Sequence, residues 1–161
     1  MRNIIIIVLL SLALAGCSTV YNLTAFIMPD DVEFIEIVKS LDTPEKIGNY
    51  MLENFEYDSK QRNVLLSPYE LWKVKRGVCG DFATFGMFVA DYHGYEAYFV
   101  MIYFENTNDS HAIAIYKENE GYNYSSNQKY FSLYAENINE IIEHYDIYDW
   151  RYSVKKYEVK S

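Results

Sequence analysis

The sequence has little that would support metal or phosphate chemistry. It contains only three histidines, His93, His111 and His144, and none has Cys or carboxylate side chains around it at a spacing typical of zinc ligands. It has no glycine-rich phosphate loop and no Gly-x-Ser-x-Gly turn of the kind that presents a catalytic serine. We therefore expect neither a bound metal nor another cofactor.

Basic charge is also scarce. The chain has 14 Lys and Arg against 23 Asp and Glu, a formal net charge of −9. A basic surface for nucleic acid or anionic lipid is therefore not expected. Internal repeats, low-complexity tracts and long charge blocks are absent, and 50% of the residues are hydrophobic. This composition is typical of a folded domain and not of a disordered tail.

The N-terminal residues have the features of a processing signal. Arg2 precedes an apolar run over residues 4–15 that is too short to span a bilayer comfortably. The run ends in Leu14-Ala15-Gly16-Cys17, which resembles the lipobox of bacterial lipoproteins, in which the Cys is acylated. An ordinary signal peptide or a short membrane anchor remains the alternative. We predict a signal over residues 1–16, lipidated Cys17 and a tether over 17–30, and a single domain over 31–161.

A lipid on Cys17 has two consequences. It would hold the protein on the extracytoplasmic side of the cell membrane or the outer membrane. It would also leave Cys79, the second of the two cysteines, without an intramolecular disulfide partner. A free thiol in an oxidising compartment is a liability unless it is buried or used.

The first half of the chain predicts helices. Asp30 or Asp31 can cap a helix with Val32, Ile35, Val38 and Leu41 on its apolar side. Further starts are predicted at Thr43-Pro44-Glu45 and at the capping box Ser67-Pro68-Tyr69-Glu70. The segment 80–92 is apolar almost all round, which indicates a buried central helix.

The second half predicts mostly antiparallel strands. Candidate strands cover residues 96–104, 111–117 and 122–127, separated by polar turns. An amphipathic helix is predicted over 135–145, and a last strand from alternating Trp150, Tyr152 and Val154. Because helices come first and strands follow, the predicted class is α+β.

The segment Gly77-Val78-Cys79-Gly80-Asp81-Phe82-Ala83 carries the candidate nucleophile. A Cys just ahead of a buried helix points its sulfur toward unpaired N–H groups and the positive end of the helix dipole, which favours thiolate. His111 is the candidate base that would take the thiol proton. We expect Asp81 to be a capping carboxylate directed at backbone donors, because its charge near the sulfur would oppose thiolate formation.

This motif, followed by a strand, a turn and a His at the start of the next strand, resembles the transglutaminase-like superfamily of papain-related thiol enzymes. The resemblance covers roughly residues 44–130 and implies a Cys-bearing helix packed on an antiparallel sheet. It also implies that Cys79 is the nucleophile, that His111 is its base, and that an Asp on the following strand orients the imidazole.

The third position departs from the family pattern. No carboxylate occurs between Glu120 and Glu136. Ser126 aligns more directly with the family Asp, whereas Asn127 is the better chemical substitute because an amide oxygen can accept the imidazole Nδ1–H. A shift of one residue along a strand moves a side chain to the other face, so both residues remain candidates.

The expected function is that of a lipid-anchored thiol enzyme at the cell envelope, acting on a peptide or protein substrate. Acyl transfer through Cys79 would end in hydrolysis when water accepts the acyl group, and in cross-linking when an amine does. Hydrolysis is the default because water needs no dedicated site. The alternative is a catalytically impaired lipoprotein that uses the cleft to bind a peptide or a protein, and a purely structural lipoprotein is a third possibility.

Overall fold

A computed structural model describes residues 27–58, 64–148 and 153–160. The predicted signal and Cys17 lie outside the described residues, as do Trp150 and Tyr152 of the predicted last strand. The helices of the described part are α1 (Val32–Ser40), α2 (Pro44–Asn54), α3 (Pro68–Val74), α4 (Cys79–Tyr92) and α5 (Ile138–Tyr148). Its strands are β1 (Glu56–Tyr57), β2 (Arg76–Gly77), β3 (Glu96–Phe104), β4 (Ser110–Glu118), β5 (Gly121–Ser126), β6 (Lys129–Ala135) and β7 (Val154–Lys160).

The strands form one large sheet and one small one. The large sheet is antiparallel with the order β6-β5-β4-β3-β7, and the small one is the parallel pair β1-β2. Helices pack on the large sheet, so the α+β class predicted from the sequence is confirmed. No helix among the described residues is long and apolar enough to cross a membrane.

Helix α4 is the centre of the larger hydrophobic core. It packs on β3 and β4, and its fully buried side chains include Phe82, Phe85 and Val89. Helices α2 and α3 contact α4, and α1 contributes Phe34 and Val38 to the same core. The prediction of a buried central helix is therefore confirmed.

A second core lies on the opposite face of the large sheet. There α5 covers β5 and β6 with Ile141, Ile142 and Tyr145. Along β4 the side chains alternate between the two cores, since Ala112 and Ala114 belong to the α4 core whereas Ile113 and Ile115 belong to the α5 core. Each face of β4 is therefore covered by a different helix.

The predicted helix starts are present. Asp31 accepts hydrogen bonds from the N–H groups of Glu33 and Phe34 at 3.1 and 3.2 Å, so Asp31 and not Asp30 is the cap of α1. Thr43 accepts from the Lys46 N–H at 3.2 Å, and Ser67 and Glu70 form the capping box that begins α3. These signals are reliable because the capping side chain and its donor are a few residues apart.

Four predicted details differ from the structure. Helix α1 buries Phe34 and Val38, while Val32 of the predicted apolar stripe is 74% exposed. The strands β1, β2 and β6 were not predicted. Helix α5 begins at Ile138, because β6 occupies the chain up to Ala135. The described part of the last strand runs from Val154 to Lys160, beyond the predicted end at Val154.

Candidate active site

Cys79 is the first residue of α4, where the helix N–H groups have no intrahelical partner. Its thiol is free and mostly buried, and the backbone N–H groups of Ala112, Gly80 and Cys79 itself lie near the sulfur. Burial raises the pKa of the Cys79 thiol; those three N–H groups act to lower it, and the charge of Asp81 raises it further. The N–H groups at the helix end therefore favour thiolate, as predicted, but burial outweighs them and the net pKa of the thiol is raised.

The residues around Cys79 explain the glycines of the motif. A side chain at Gly77 would press on Leu71 Cδ1 at 2.7 Å and on the Asp81 carboxylate at 3.0 Å. A side chain at Gly80 would come within 2.5 Å of Leu65 Cδ2. A Cβ at either position would therefore displace a neighbouring leucine side chain.

Asp81 ties this segment to the loop before α3. Its side chain is fully buried, and it accepts hydrogen bonds from the N–H of Leu66 at 2.7 Å and from the N–H of Val78 at 2.9 Å. The carboxylate is thus directed at backbone donors, as the sequence predicted. Its contribution is to hold the backbone on either side of the thiol.

His111 is the second residue of β4 and lies next to Ala112, whose N–H lies near the Cys79 sulfur. The backbone of β4 therefore brings the candidate base and the thiol to the same end of the sheet. His111 Nε2 lies 3.0 Å from Ser126 Oγ on the neighbouring strand β5. Since β4 and β5 pair Ile113 with Ser126, His111 and Ser126 are diagonal neighbours on one face.

The structure distinguishes the two candidates for the third position by geometry. Ser126 ends β5 and contacts the imidazole through Nε2, not through the Nδ1 that we expected an acceptor to meet. Asn127 follows in the turn with φ of +50°, and its Oδ1 is buried without a hydrogen-bond partner among the described residues. The hydroxyl and not the amide therefore contacts His111.

Two tyrosines near the pair were missed from the sequence. Tyr145 of α5 stacks on His111, with ring centroids 5.5 Å apart and an interplanar angle of 17°. Tyr57 of β1 lies close enough to Cys79 for the thiol charge to raise the pKa of its phenol, although burial is the larger cause. Neither residue carries a local signal, because one approaches from the C-terminal helix and the other through the short parallel pair β1-β2.

The other two histidines lie elsewhere. His93 follows α4 and its Nε2 is 2.8 Å from the carbonyl oxygen of Val38, which links two helix ends. His144 was expected on the surface, but it is half-buried and its Nδ1 lies 3.1 Å from the hydroxyl of fully buried Tyr124. Both are structural contacts. Among the described residues, no cluster of three or more His, Cys, Asp or Glu could hold a metal ion.

A cysteine at the start of a buried helix, facing a strand that carries a histidine, is the arrangement expected of a papain-related thiol-enzyme fold. A family model described as "Transglutaminase-like domain" matches residues 32–148, most of the chain. The protein belongs to this family. The superfamily that the motif predicted is therefore confirmed.

Solved structures with a similar fold are only remotely related in sequence. A candidate cysteine protease from Cytophaga hutchinsonii is 15% identical with a TM-score of 0.50, and the match covers 80% of this chain and 48% of that one. LapG from Legionella pneumophila is 17% identical with a TM-score of 0.49, covering 60% of this chain and 62% of that one. This chain thus spans less than two thirds of either protein. A search of curated protein sequences gives no match.

Proposed function

We propose that the protein is a thiol enzyme that hydrolyses a peptide or amide bond at the cell envelope. Cys79 is the nucleophile, His111 is the general base and acid, and Ser126 orients His111. The observation that carries the proposal is the position of the Cys79 sulfur: it lies at the N-terminus of α4, near the N–H of Ala112, the residue next to His111.

The proposed reaction has two halves. Cys79 Sγ attacks the substrate carbonyl carbon while His111 takes the thiol proton, and His111 then gives that proton to the departing amine. This leaves an acyl group on the sulfur. Water attacks the thioester, His111 takes the proton of the water, and the carboxylic acid leaves as the sulfur regains a proton. The N–H groups that surround the sulfur are placed to donate to the oxyanion in both halves.

The resting thiol is protonated in this mechanism. Burial raises the pKa of Cys79, so the proton must leave the sulfur during attack and not before it. His111 can accept that proton only as neutral imidazole. Activity should therefore require the neutral form of His111.

The pH dependence of alkylation by iodoacetamide tests the pair. In a full chain carrying Cys17→Ser and purified in detergent, Cys79 is the sole thiol. We expect two limbs in the rate profile. The limb at lower pH needs His111 as the base. The limb at higher pH rises above the ordinary thiol pKa of about 8.5, where the thiol reacts without help from His111.

The control is the same chain with His93→Ala, which removes an imidazole away from the sulfur. His111→Ala should abolish the lower limb and leave the upper one, whereas His93→Ala should leave both. A single upper limb in every variant would contradict the proposal. Loss of peptide hydrolysis in Cys79→Ala, measured on a mixed peptide library by mass spectrometry, would then identify substrates.

A second function is favoured by one observation. Ser126 stands where the family pattern has a carboxylate, and a hydroxyl stabilises an imidazolium less than a carboxylate does. A protein that has lost its activity in this way would use the cleft beside Cys79 to bind a peptide or a protein. It would show only the upper alkylation limb, and Cys79→Ala would leave its cellular role intact.

We also propose that Cys17 is acylated and anchors the protein outside the cytoplasm, with residues 17–30 as the tether to the domain at 31–161. The support is the apolar run and the small residues before Cys17. Mass spectrometry of the membrane-bound protein should find a lipid on an N-terminal Cys17, and Cys17→Ser should release the protein or block its processing. An unmodified Cys17 in the membrane fraction would contradict this.

A further inference from the structure

On the α5 face of the sheet, His111 contacts a hydroxyl group and an aromatic ring. Ser126 Oγ meets Nε2 at 3.0 Å, and the ring of Tyr145 lies nearly parallel to the imidazole at 5.5 Å between centroids. We propose that Tyr145 is a positioning residue for His111, which fixes the plane of the imidazole where Ser126 stands at the position of the family carboxylate. This proposal rests on the proposed function.

The hydroxyl contact sets the position of one nitrogen, whereas rotation about the Cβ–Cγ bond of His111 tilts the plane of the ring. A carboxylate would restrain the ring more strongly, because it makes a shorter, charge-assisted bond. A flat side chain against one face removes the same rotation by contact, since any tilt of the imidazole must displace the phenol ring.

Tyr145 is itself held in place. Its side chain is 4% exposed, and its ring also stacks with Phe104 of β3, with centroids 6.4 Å apart and an angle of 20°. Tyr145 is therefore restrained by burial and by a second ring besides the imidazole. The adjacent residue His144 accepts or donates a hydrogen bond with buried Tyr124 at 3.1 Å, which attaches the same turn of α5 to the sheet.

The stack also suits the proton transfer. When His111 takes the thiol proton it becomes an imidazolium, and a cation next to an aromatic face is stabilised by the charge distribution of the ring. The stacking partner thus favours the protonated base during attack without itself carrying a charge. A leucine or methionine in its place would fill space but would lack this interaction.

Three variants in the Cys17→Ser chain separate the ring from its packing. Tyr145→Phe keeps the flat ring, and Tyr145→Met keeps much of the volume without it. The matched control is Tyr157→Leu, which removes a ring that packs in the same core and bonds Asn139 of α5. The readouts are the imidazole NMR signals, which come from only three histidines, and the lower limb of the alkylation profile.

We expect cross-relaxation between the His111 and Tyr145 rings in the unsubstituted Cys17→Ser chain. Tyr145→Met should shift and broaden the His111 signals and lower the His111-dependent alkylation rate about tenfold, because a misplaced catalytic group loses rate steeply with distance. Tyr145→Phe and Tyr157→Leu should retain both. Absent cross-relaxation, or equal losses in the Phe, Met and control variants, would overturn the proposal.

The two proposals fail differently. If His111→Ala leaves alkylation unchanged, the proposed enzyme function is wrong, but the NMR signals of His111 still report whether Tyr145 sets the ring. If alkylation depends on His111 while Tyr145→Met leaves both readouts unaltered, the enzyme function stands and the positioning role of Tyr145 is overturned.

Discussion

At the start of α4, Cys79 is held mainly by backbone, whereas on β4 His111 is held mainly by side chains. N–H groups of α4 and of β4 lie near the thiol, and Asp81 fixes the adjoining backbone through two part-buried hydrogen bonds. The imidazole instead meets a hydroxyl and an aromatic ring.

This difference determines how each half tolerates change. Backbone donors stay in place whatever side chain is present. The segment that carries Cys79 is therefore destabilised by steric clashes or by loss of the buried Asp81 carboxylate. Side-chain contacts disappear one at a time. The α4 face should therefore respond to substitution with large losses of stability, and the α5 face with small ones that alter the base.

Asp81→Asn should give the largest loss of stability, because it removes the carboxylate that holds the backbone on the α4 face. The amide oxygen of Asn can accept from one of the N–H groups of Leu66 and Val78, but the amide nitrogen cannot accept from the other. One part-buried donor therefore loses its acceptor, and the other loses a charged acceptor. We expect a loss of about 3 kcal/mol in the free energy of unfolding, measured by urea denaturation.

The pKa of the Cys79 thiol should fall in the same variant, because the Asp81 charge is one of the groups that raise it. Asp91→Asn, at an exposed position on the same helix, is the matched control and should change stability by less than about 0.5 kcal/mol. Equal stability of the two variants would show that the buried carboxylate does not hold the segment.

Gly86→Ala should come next. A Cβ at Gly86 would collide with the hydroxyl of Tyr116, which is fully buried and donates to Ser125 Oγ at 3.2 Å. We expect a loss of about 2 kcal/mol in thermal or urea unfolding from overpacking. Adding Tyr116→Phe removes the colliding oxygen, so the double variant should be less destabilised than the sum of the singles. Strict additivity would contradict the clash.

Tyr124→Phe should have the smallest effect and sharpens the comparison on the α5 face. It removes the hydrogen bond to His144 that attaches α5 to β5, at a cost of about 1 kcal/mol. Tyr98→Phe, which removes an exposed phenol bonded to Glu96, is the control and should be nearly neutral. A loss above about 3 kcal/mol in the free energy of unfolding for Tyr124→Phe would show that the two faces are equally sensitive to substitution.

The sequence predicted most of the elements whose signals are local. Asp31, Thr43 and Ser67 mark helix starts because each bonds N–H groups two or three residues ahead. The pair β1-β2 has no such signal, since two-residue strands are defined only by a partner twenty residues away. Strand β6 was not predicted because the alternation of apolar and polar residues is interrupted near Tyr134. This residue has φ of +54° and donates its N–H to the buried Asn123 side chain.

From the sequence, Cys79 and His111 could be predicted as a candidate pair, because the motif around Cys79 indicates them. The choice between Ser126 and Asn127 needed the strand register, which decides the face of each side chain. The raised pKa of the thiol needed the depth of burial. Tyr145 needed the path of α5 across the sheet, which no residue near His111 specifies.

The strand order indicates that the two halves of the site form at different stages of folding. Helix α4 is followed at once by its neighbours β3, β4 and β5, but β7 pairs with β3 only after β4, β5, β6 and α5 have been formed between them. Closing so long a loop carries a larger entropy cost than pairing consecutive strands, and β7 lies at the edge of the sheet. Amide hydrogens of β7 should therefore exchange with solvent before those of α4, and the thiol half should outlast the support of the base in partial opening.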